Sequence, residues 1–524
     1  MSFFGRTIAI DTETTGLERT DKPFLIIIDT PDEPTHLIDI RDGVSEECRN
    51  LINDILRSAQ TVAFQNAKFD LSMLKRVGIE MPPHLLLLDD TSLARQQRND
   101  HLQYSLGAQA SRILGVGKDE RVKALIKASP DEYMETRTTR TGDAYTVPRY
   151  DWINPTVMNE YAARDAQLTR QLCMEYTKDM NEVDVNLSTL EGNLIRVCLD
   201  IEERGIQLNI PYTIEAWNHE QSILDKLLIS FKDATGVDYV NSGKSIQKAL
   251  EFVLPITDKG NPSATDEVLA IVEKIGSDTD KSIASLIREI RYYDKRITTY
   301  YKSYIDLHHE GVIHPRMWIS STRTGRFSYS DPNLQNVPKE EKSVDPFVVR
   351  GCFKPRDGHI FVSMDYSQME YRMMAAYAGE HAIIEAVNNG ADFHQATADL
   401  FVVDRKMAKT LNFAILYGAG DEKLASMLGI SEHEAAALKI KYFMALPRVE
   451  RLVDKVISQG KRTGYITNWM GRRLYATRDF CYALPNHLIQ SGGADVVKKA
   501  MLLIYQQFPK YLWFYRYMTS LSLK

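Results

Sequence analysis

Acidic side chains in the first third of the 524-residue sequence stand where they could hold metal ions. Asp11 and Glu13 follow a predicted strand, and because side chains two apart on a strand share a face, both carboxylates should converge. Asp70 opens a helix after a later strand. Asp165 comes four residues after Tyr161, so this phenol and carboxylate share one face of a helix. Each feature alone is also typical of a turn, a helix start or a solvated surface.

Taken together, the strings Asp11-Thr-Glu13, Asn66-Ala-Lys-Phe69-Asp70 and Tyr161-Ala-Ala-Arg-Asp165 resemble the three motifs of the DnaQ-like 3′–5′ exonucleases. Hydrolysis of a phosphodiester needs an activated water and a neutralised leaving oxygen, and two ions roughly 4 Å apart provide both. Carboxylate oxygens suit such hard cations. The resemblance implies a ribonuclease H-like fold with Tyr161 orienting the water, and two Mg²⁺ or Mn²⁺ ions held by Asp11, Glu13, Asp70 and Asp165.

Another acid ends a predicted strand in the C-terminal half of the chain. The segment from His359 to Asp365 alternates in hydrophobicity, and a helix is predicted to follow it. The string Asp365-Tyr-Ser-Gln-Met-Glu370-Tyr-Arg resembles motif A of the family A DNA polymerases. By that resemblance Asp365 is a ligand shared by two catalytic metal ions, and Glu370 is the steric gate that rejects a ribose 2′-hydroxyl.

A cationic and aromatic stripe recurs at four-residue intervals and comprises Arg405, Lys409, Phe413 and Tyr417. An amphipathic core helix explains the aromatic residues but not the cations, which a core excludes. The stripe resembles motif B of the same polymerases. That resemblance puts both cations on the triphosphate, where they stabilise the leaving pyrophosphate. It also puts Phe413 against the sugar, Tyr417 near the templating base and His394 on a nucleotide phosphate.

Polar turns complete the likeness to the polymerases. As an ordered set they resemble the family's contacts with the minor groove or backbone of the primer-template, and comprise Arg326, Asn333, Gln335, Asn336, Asn486 and Gln490. Cations between Lys281 and Tyr304 fit either a contact with the DNA backbone or a solvated helix face.

The helices and strands predicted around these residues indicate a multidomain protein of mixed α/β and α+β class. Asn154 and Pro155 punctuate the start of a helix, and Gly115 to Tyr150 is predicted to be a loop or small insertion. Strands are predicted at Thr7 to Ile10, Phe24 to Ile28, Thr61 to Phe64 and Leu85 to Leu88. The resemblance divides the chain into an exonuclease domain (1–180), a helical thumb (181–310), a first palm segment (311–372), fingers (373–478) and a second, truncated palm segment (479–524).

Composition alone does not indicate a partner. The net charge of −6 gives no general attraction to nucleic acid, so binding depends on local positive patches. The N-terminus has no leader and no apolar run reaches the ~20 residues that cross a bilayer. We therefore expect a cytoplasmic protein, in the host cytoplasm if it is viral, without a membrane partner. The resemblance implies primer-template DNA and deoxynucleoside triphosphates as ligands.

The polymerase family carries a second palm acid in a His-Asp-Glu turn that we do not find. No Asp or Glu follows Asp495 in the sequence, and Asp365 with Glu370 is an incomplete cage for two divalent ions. A truncated product, a split polymerase completed by a second polypeptide, or recruitment of Asp495 would each account for this. Two rival functions are a metal-dependent exonuclease without synthesis and a DNA-binding scaffold.

We predict that this 524-residue polypeptide alone extends primers slowly or not at all, because its palm lacks the second carboxylate. Primer extension with Mg²⁺ and all four deoxynucleotides measures this directly. Extension at a normal rate without added protein would refute the prediction.

Overall fold

The computed structural model describes residues 4–97, 103–338, 346–401, 403–416, 418–508, 513–517 and 520–523. Among these residues, no helix has the length and apolar character needed to cross a membrane. The five cysteines are free thiols.

A five-stranded mixed sheet forms the N-terminal region, in the order β3-β2-β1-β4-β5. β1 pairs antiparallel with β2 and parallel with β4, and both faces are covered by helices. This arrangement agrees with the ribonuclease H-like expectation, and all four predicted strands are present. Their bounds are β1 Thr7–Thr14, β2 Pro23–Asp29, β3 His36–Asp39, β4 Thr61–Phe64 and β5 Leu86–Asp89.

Seven helices and a hairpin belong to the same region. The predicted helix cap is confirmed, because Asn154 Oδ1 accepts a hydrogen bond from the backbone N–H of Thr156 at 2.9 Å. The bounds are α1 Glu46–Ser58, α2 Ala67–Arg76, α3 Asp90–Gln97, α4 Leu106–Gln109, α5 Arg121–Ala128, α6 Pro130–Tyr133, β6 Met134–Thr138, β7 Ala144–Pro148 and α7 Pro155–Thr177.

A mostly helical region follows, as the sequence predicts. Its elements are α8 Glu182–Arg204, β8 Ile206–Gln207, α9 Ile210–Thr235, α10 Gly243–Ala249, α11 Asp266–Ile275, α12 Asp278–Lys295 and α13 Ser303–Leu307, with a π-helical turn at Arg296–Lys302. Three short strands come next: β9 Val312–Ile313, β10 Arg316–Trp318 and β11 Ser328–Ser330.

The C-terminal region begins with a strand and continues as helices. Its elements are β12 Val362–Asp365, α14 Met369–Ala378, α15 His381–Asn388, α16 Phe393–Phe401, α17 Arg405–Leu416, α18 Asp421–Leu428, α19 Glu432–Ala445, α20 Pro447–Thr463, β13 Tyr465–Thr467, β14 Arg473–Tyr475, α21 Leu484–Gln507, β15 Trp513–Tyr517 and β16 Ser520–Leu523. β12 pairs antiparallel with β16, with Asp365 opposite Ser520.

One hydrophobic core joins the two halves of the chain. It contains residues from the N-terminal sheet, from α8 and from α21, including Ile10, Leu194, Val497 and Met501. The predicted boundary at residue 180 falls just before α8, yet α8 packs in the core of the sheet. α8 therefore serves as the structural link between the sheet and the C-terminal helices.

The segment predicted as a loop or small insertion is more ordered than that prediction. It contains α5, α6 and the hairpin β6–β7, whose side chains alternate only between partly buried and exposed positions. Because neither face of the hairpin is fully buried, its strands carry no strong hydrophobic alternation.

The tip of this hairpin contacts the helical region. The backbone N–H and hydroxyl of Thr141 donate to the Asp306 carboxylate at 2.8 and 2.7 Å, and Lys302 Nζ lies 2.6 Å from Asp143 Oδ2. Arg140 adds a hydrogen bond to the carbonyl oxygen of Asp306 at 3.0 Å. The hairpin thus bridges the N-terminal sheet region and the end of α13.

Four buried charges fasten α8 to the C-terminal region. Glu191 on α8 accepts ion pairs from Arg472 at 2.9 Å and from Lys498 at 2.8 Å, and Arg472 also binds Asp495 at 2.6 Å. The exposed fraction of each of the four side chains is 5% or less. Gln96 of α3 donates a further hydrogen bond to Glu191 at 2.7 Å, so the cluster connects three regions of sequence.

The positive and negative charges of this cluster offset one another. Burial alone would raise the pKa of the Glu191 carboxyl, but Lys498 and Arg472 outweigh it and lower the pKa to about 2. Burial lowers the pKa of the Lys498 ammonium, an effect to which Arg472 adds. Two cations facing two anions leave no net charge inside.

We predict that Glu191→Ala destabilises the protein by about 3–5 kcal/mol, because removal of one partner leaves buried cations unpaired. Thermal unfolding of the two proteins measures the loss as a lower midpoint. Asp54→Ala is the matched control, since it breaks an ion pair whose two side chains are 70% and 71% exposed. Equal midpoints for the two variants would contradict the prediction.

Candidate active sites

The four predicted exonuclease acids come from three elements that pack together. Asp11 and Glu13 lie within β1, which extends to Thr14 rather than ending before them as the sequence analysis expected. Asp70 lies in the first turn of α2 and Asp165 in the middle of α7. The longer strand keeps both β1 acids in hydrogen-bonded register with β2, opposite apolar residues.

Specific contacts fix these elements against one another. The backbone N–H and the hydroxyl of Thr12 both donate to Asp70 Oδ1, at 2.9 and 2.7 Å, which fastens α2 to β1. α7 is held by a shared core in which Tyr161 and Ala162 pack with residues of β2 such as Leu25. Tyr161 and Asp165 lie one turn apart on α7, as their spacing predicts, and burial together with the charge of Asp165 raises the pKa of the Tyr161 phenol.

The charges of these acids act on one another. Burial, then the charge of Asp165, raises the pKa of Asp11 from 3.8 to about 7. Burial also raises the pKa of Glu13 well above its usual range, and Asp11, Asp165 and Asp70 add to the shift. The pKa of Asp70 rises through burial and the charge of Asp11. The carboxylates are therefore brought together, and their repulsion calls for a cation.

The residues present suit divalent metal ions in part. Asp165 Oδ1 is buried and has no hydrogen-bond partner among the described residues, as expected of an oxygen kept for a cation. The donors are hard carboxylate oxygens. Within the part of the chain that the structure describes, however, no three acidic, histidine or cysteine side chains are gathered into a finished metal cage. Binding of ions therefore requires small side-chain shifts, because Thr12 now holds Asp70.

Two residues that the sequence analysis did not single out also face these acids. Lys118 Nζ lies 2.5 Å from Asp165 Oδ2 and 4.9 Å from the centre of the Tyr161 ring. The Tyr150 hydroxyl has a pKa raised by burial and by the charge of Glu13. Neither residue belongs to a periodic pattern, and both come from the segment predicted as a loop, so spacing gave no signal. The acids Asp89 and Asp90 serve structural roles.

The hydrogen bonds of Asp89 and Asp90 show their structural roles. Asp89 accepts from the backbone N–H groups of Ala67 and Ser92, at 3.0 Å each, at the first turns of α2 and α3. Asp90 is fully buried and accepts from Gln109 Nε2 at 3.0 Å. Both carboxylates therefore serve as acceptors that hold the first turns of α2 and α3 and the side chain of Gln109.

The predicted palm acid Asp365 is the last residue of β12 and is exposed. After it, Gln368 adopts a left-handed conformation with φ of 53° and starts α14, which carries Glu370 in its first turn. The Gln368 side chain accepts from the backbone N–H of Phe393 at 3.2 Å. This contact ties the turn after β12 to the start of α16.

An aromatic cluster joins this turn to the predicted fingers helix. The ring centre of Tyr371 lies 4.8 Å from that of Phe393, 4.7 Å from His394 and 5.6 Å from Phe413. His394 is buried, burial lowers its pKa, and its ring nitrogen Nδ1 lies 3.3 Å from Asn412 Nδ2. Its predicted contact with a phosphate stays a prediction. Tyr371 was not among the predicted site residues.

The cations of the predicted stripe lie on the solvent-facing side of α17. Arg405 binds Asp392 at 2.5 Å and is 51% exposed, and Lys409 is exposed with its Nζ 5.9 Å from the centre of the Phe413 ring. The opposite side, with Ala408 and Leu411, is fully buried. The structure therefore explains why cations occur on this helix. Tyr417 lies outside the described residues.

Polar residues predicted to contact DNA mostly bind one another. Gln490 donates to Asn486 Oδ1 at 3.0 Å on α21, and Arg326 Nη2 donates to Glu370 Oε1 at 2.8 Å. The latter ion pair places the proposed steric gate beside a predicted DNA contact. Near the turn after β11, Asn333 Oδ1 accepts from the backbone N–H of Gln335 at 3.1 Å. Asn336 is exposed and uses its backbone oxygen to accept from Tyr300, leaving its amide facing outward.

The structure contradicts the sequence analysis at two residues. Asp495 cannot replace a missing palm ligand, because it is fully buried in the ion-pair cluster with Arg472. Arg296 belongs neither to a DNA contact nor to a solvated face, because it is 3% exposed and bound to Glu220 at 2.5 Å. In both cases a partner distant in sequence determines the environment.

The sequence of the chain is similar to two protein families and to several known DNA polymerases. The sequence profile of the family described as DNA polymerase family A matches residues 220–519, and that described as 3'-5' exonuclease matches residues 5–181. The DNA polymerase of Mycobacterium phage L5 is 30% identical over 515 residues, which cover 95% of this chain and 83% of the phage protein. DNA polymerase I of Borreliella burgdorferi is 28% identical, over 96% of this chain and 56% of that protein.

A solved structure extends the likeness to the fold. The POL domain of Pol1 from M. smegmatis, in complex with DNA primer-template and dNTP, superimposes with a TM-score of 0.81 at 20% sequence identity. The match covers 100% of this chain and 89% of that one. The order of an exonuclease region followed by a polymerase region agrees with the architecture described above.

We predict that metal-free stability falls as the pH rises from about 4 to 7, because native Asp11 keeps its proton up to about 7 while the unfolded chain releases it near 3.8. Asp11→Asn should flatten this fall and weaken the stabilisation that Mg²⁺ gives at pH 8. Thermal midpoints at pH 5 and pH 8 measure both effects. Asp131→Asn, at an exposed position on α6, is the control and should behave as the parent protein. An unchanged pH profile for Asp11→Asn would contradict the prediction.

Proposed function

The chain belongs to DNA polymerase family A and carries a 3′–5′ exonuclease domain, and from this premise we propose how its residues carry out the two reactions. It is a DNA-directed DNA polymerase with proofreading exonuclease activity. The observation that carries the exonuclease proposal is the convergence of carboxylates from β1, α2 and α7 on one place, where they raise one another's pKa.

For the exonuclease reaction, we assign two divalent ions to the N-terminal acids. Enzymes of these families use divalent metals, and the hard oxygen donors favour Mg²⁺ or Mn²⁺. When bound, such ions activate the attacking water and neutralise the leaving oxygen. The ligands would be Asp11, Glu13, Asp70 and Asp165.

Tyr161 has a separate role from the ligands. Its phenol has a pKa raised by burial and by the charge of Asp165, so it keeps its proton at neutral pH. It lies one turn from Asp165 on α7, and its ring lies 4.9 Å from the Lys118 ammonium. A protonated phenol held in this way is suited to orient the attacking water.

For synthesis, we propose that the primer-template lies across the region between β12 and α17. Asp365 would bind the metal ions, and Glu370, held by Arg326, would exclude a ribose 2′-hydroxyl. The nucleotide would be bound by His394, Arg405, Lys409, Phe413 and Tyr417. The duplex would be bound by Arg326, Asn333, Gln335, Asn336, Asn486 and Gln490.

The exposed cations of α17 support the nucleotide part of this proposal. Arg405 and Lys409 are solvent-facing cations on a helix whose other side is buried, so a triphosphate can reach them. The related solved structure carries primer-template and dNTP, which supports the same ligands here.

We retain the domain limits of the sequence analysis as part of the proposal: exonuclease 1–180, thumb 181–310, palm 311–372 and 479–524, and fingers 373–478. The family match from residue 220 and the exonuclease match to residue 181 support the general division. The packing of α8 against the sheet indicates that it also serves the exonuclease domain. The relatives are phage and bacterial enzymes, which supports a bacterial cytoplasm as the place of action.

The need for a second polypeptide stays a prediction, because the described residues do not bear on it. The clustered N-terminal acids count against a purely DNA-binding scaffold.

We predict that the chain shortens a 5′-labelled primer-template in Mg²⁺ and that Asp165→Asn lowers the rate at least about 10²-fold, because a metal ligand is lost. Denaturing gels of time courses, with and without deoxynucleotides, measure shortening and extension separately. Asp131→Asn should cut at the parent rate. If the parent protein leaves the primer unchanged in every condition, the proposed exonuclease is wrong.

A further inference from the structure

A lysine stands inside the acidic site and has no role in the mechanism described so far. The Lys118 side chain is 11% exposed, and its ammonium contacts Asp165 Oδ2 at 2.5 Å. Its charge also acts on Asp11, Glu13 and Tyr150. A lysine is rarely buried to this extent unless it is paired, and here its partners are the proposed metal ligands.

The fold holds the segment that bears Lys118 against the same helix that bears Asp165. Arg121 binds Asp119 at 2.6 Å and Glu160 at 2.8 Å, and Glu160 directly precedes Tyr161 on α7. Val122 is fully buried in the core that also contains Tyr161 and Ala162. The residues that follow Lys118 in the chain therefore hold its segment against α7.

The stem of Lys118 lies in contact with α4. A Cβ atom built on Gly107 would lie 3.4 Å from Lys118 Cβ and 3.9 Å from its Cδ, so the stem lies along the backbone of α4. The ammonium also lies over the face of the Tyr161 ring, 4.9 Å from its centre. These contacts direct the flexible stem into the acidic site rather than toward solvent.

A role as a counter-ion explains the position of Lys118 only in the metal-free site. Without metal, the four acids hold protons or need cations, and Lys118 supplies one positive charge. Two divalent ions would neutralise those four charges, and a carboxylate oxygen that binds a metal ion gives up its ion pair with lysine. The displaced ammonium then faces the next negative group, which is the phosphodiester of the bound DNA end.

We propose that Lys118 is a further catalytic residue of the exonuclease, whose ammonium group donates hydrogen bonds to a non-bridging oxygen of the scissile phosphate. This inference rests on the proposed exonuclease function. In the reaction, the water oxygen forms a bond to phosphorus and the bond from phosphorus to the 3′-oxygen of the preceding nucleotide breaks. A proton from water ends on that 3′-oxygen, and a nucleoside 5′-monophosphate leaves. Lys118 keeps its proton and stabilises the added negative charge on the phosphoryl oxygens.

Three variants test the role of the ammonium group. Lys118→Met removes the charge and keeps most of the stem, whereas Lys118→Arg keeps a charge. Lys127→Met removes a lysine at an exposed position on α5 and is the matched control. With saturating Mg²⁺ in single turnover, we expect a loss of about 10²-fold for Lys118→Met, less than about 10-fold for Lys118→Arg and no change for Lys127→Met.

Mn²⁺ binding by calorimetry, without DNA, separates catalysis from assembly of the site. We expect Lys118→Met to bind Mn²⁺ at least as tightly as the parent, because a competing cation is removed. If Lys118→Met binds Mn²⁺ much more weakly, its role is structural and the proposal is overturned. If it binds Mn²⁺ and cuts at the parent rate, Lys118 is a counter-ion only and the proposal is equally overturned.

A sulfur-substituted substrate tests the contact itself. Replacing one non-bridging oxygen of the terminal linkage by sulfur weakens a hydrogen bond to that atom, so Lys118→Met should lose much less rate on one phosphorothioate diastereomer than on the oxygen substrate. An equal loss on both diastereomers and on oxygen would overturn the contact. If instead the parent protein does not cut DNA at all, the proposed function fails first, which the assay shows before any variant is compared.

Discussion

Two buried cations and two buried anions hold the exonuclease and polymerase regions in one arrangement. Removing such charges from water is costly, and only close pairing on all sides repays it. Glu191 and Asp495 supply the negative side, and Arg472 and Lys498 the positive side. Because the partners come from α8 and from the C-terminal region, the compensation exists only when both are docked. The site acids gathered on β1 and α7 are therefore positioned on a sheet whose attachment to the rest of the chain is specific as well as hydrophobic.

In the exonuclease site, the pKa values of the acids shift in the opposite direction from that of Glu191. In the ion-pair cluster, opposite charges lower the pKa of Glu191, whereas in the site burial, and then neighbouring like charges, raise the pKa of Asp11 and Glu13. A fold that only needed stability would not collect uncompensated acids in its interior. Lys118 is the one cation that contacts them among the described residues. The contrast distinguishes a structural charge cluster from a site prepared to bind cations and a phosphodiester.

Local patterns in the sequence predicted much of this fold, and long-range contacts decided the rest. The four strands and the Asn154 cap depend on alternation and on neighbouring residues, so they were predictable. The hairpin β6–β7 was missed because neither of its faces is fully buried. Lys118 was missed because its partners lie on α7, far along the chain. Arg296 lies among the cations for which the sequence analysis left open a DNA contact or a solvated helix face, because nothing local indicates its burial and its pairing with Glu220. The polymerase motifs were predicted by their likeness to a family, and their side-chain roles remain proposals.

The hairpin that reaches from the exonuclease region to Asp306 gives that region a second attachment, remote from the ion pairs of α8. Because the region is attached at two separated places, it resists rotation about either attachment. Under the proposed functions, the primer end has to pass between two sites on regions that the protein joins at both places. The distance to be covered is fixed by the protein, and the number of unpaired nucleotides needed to span it becomes a property of the fold.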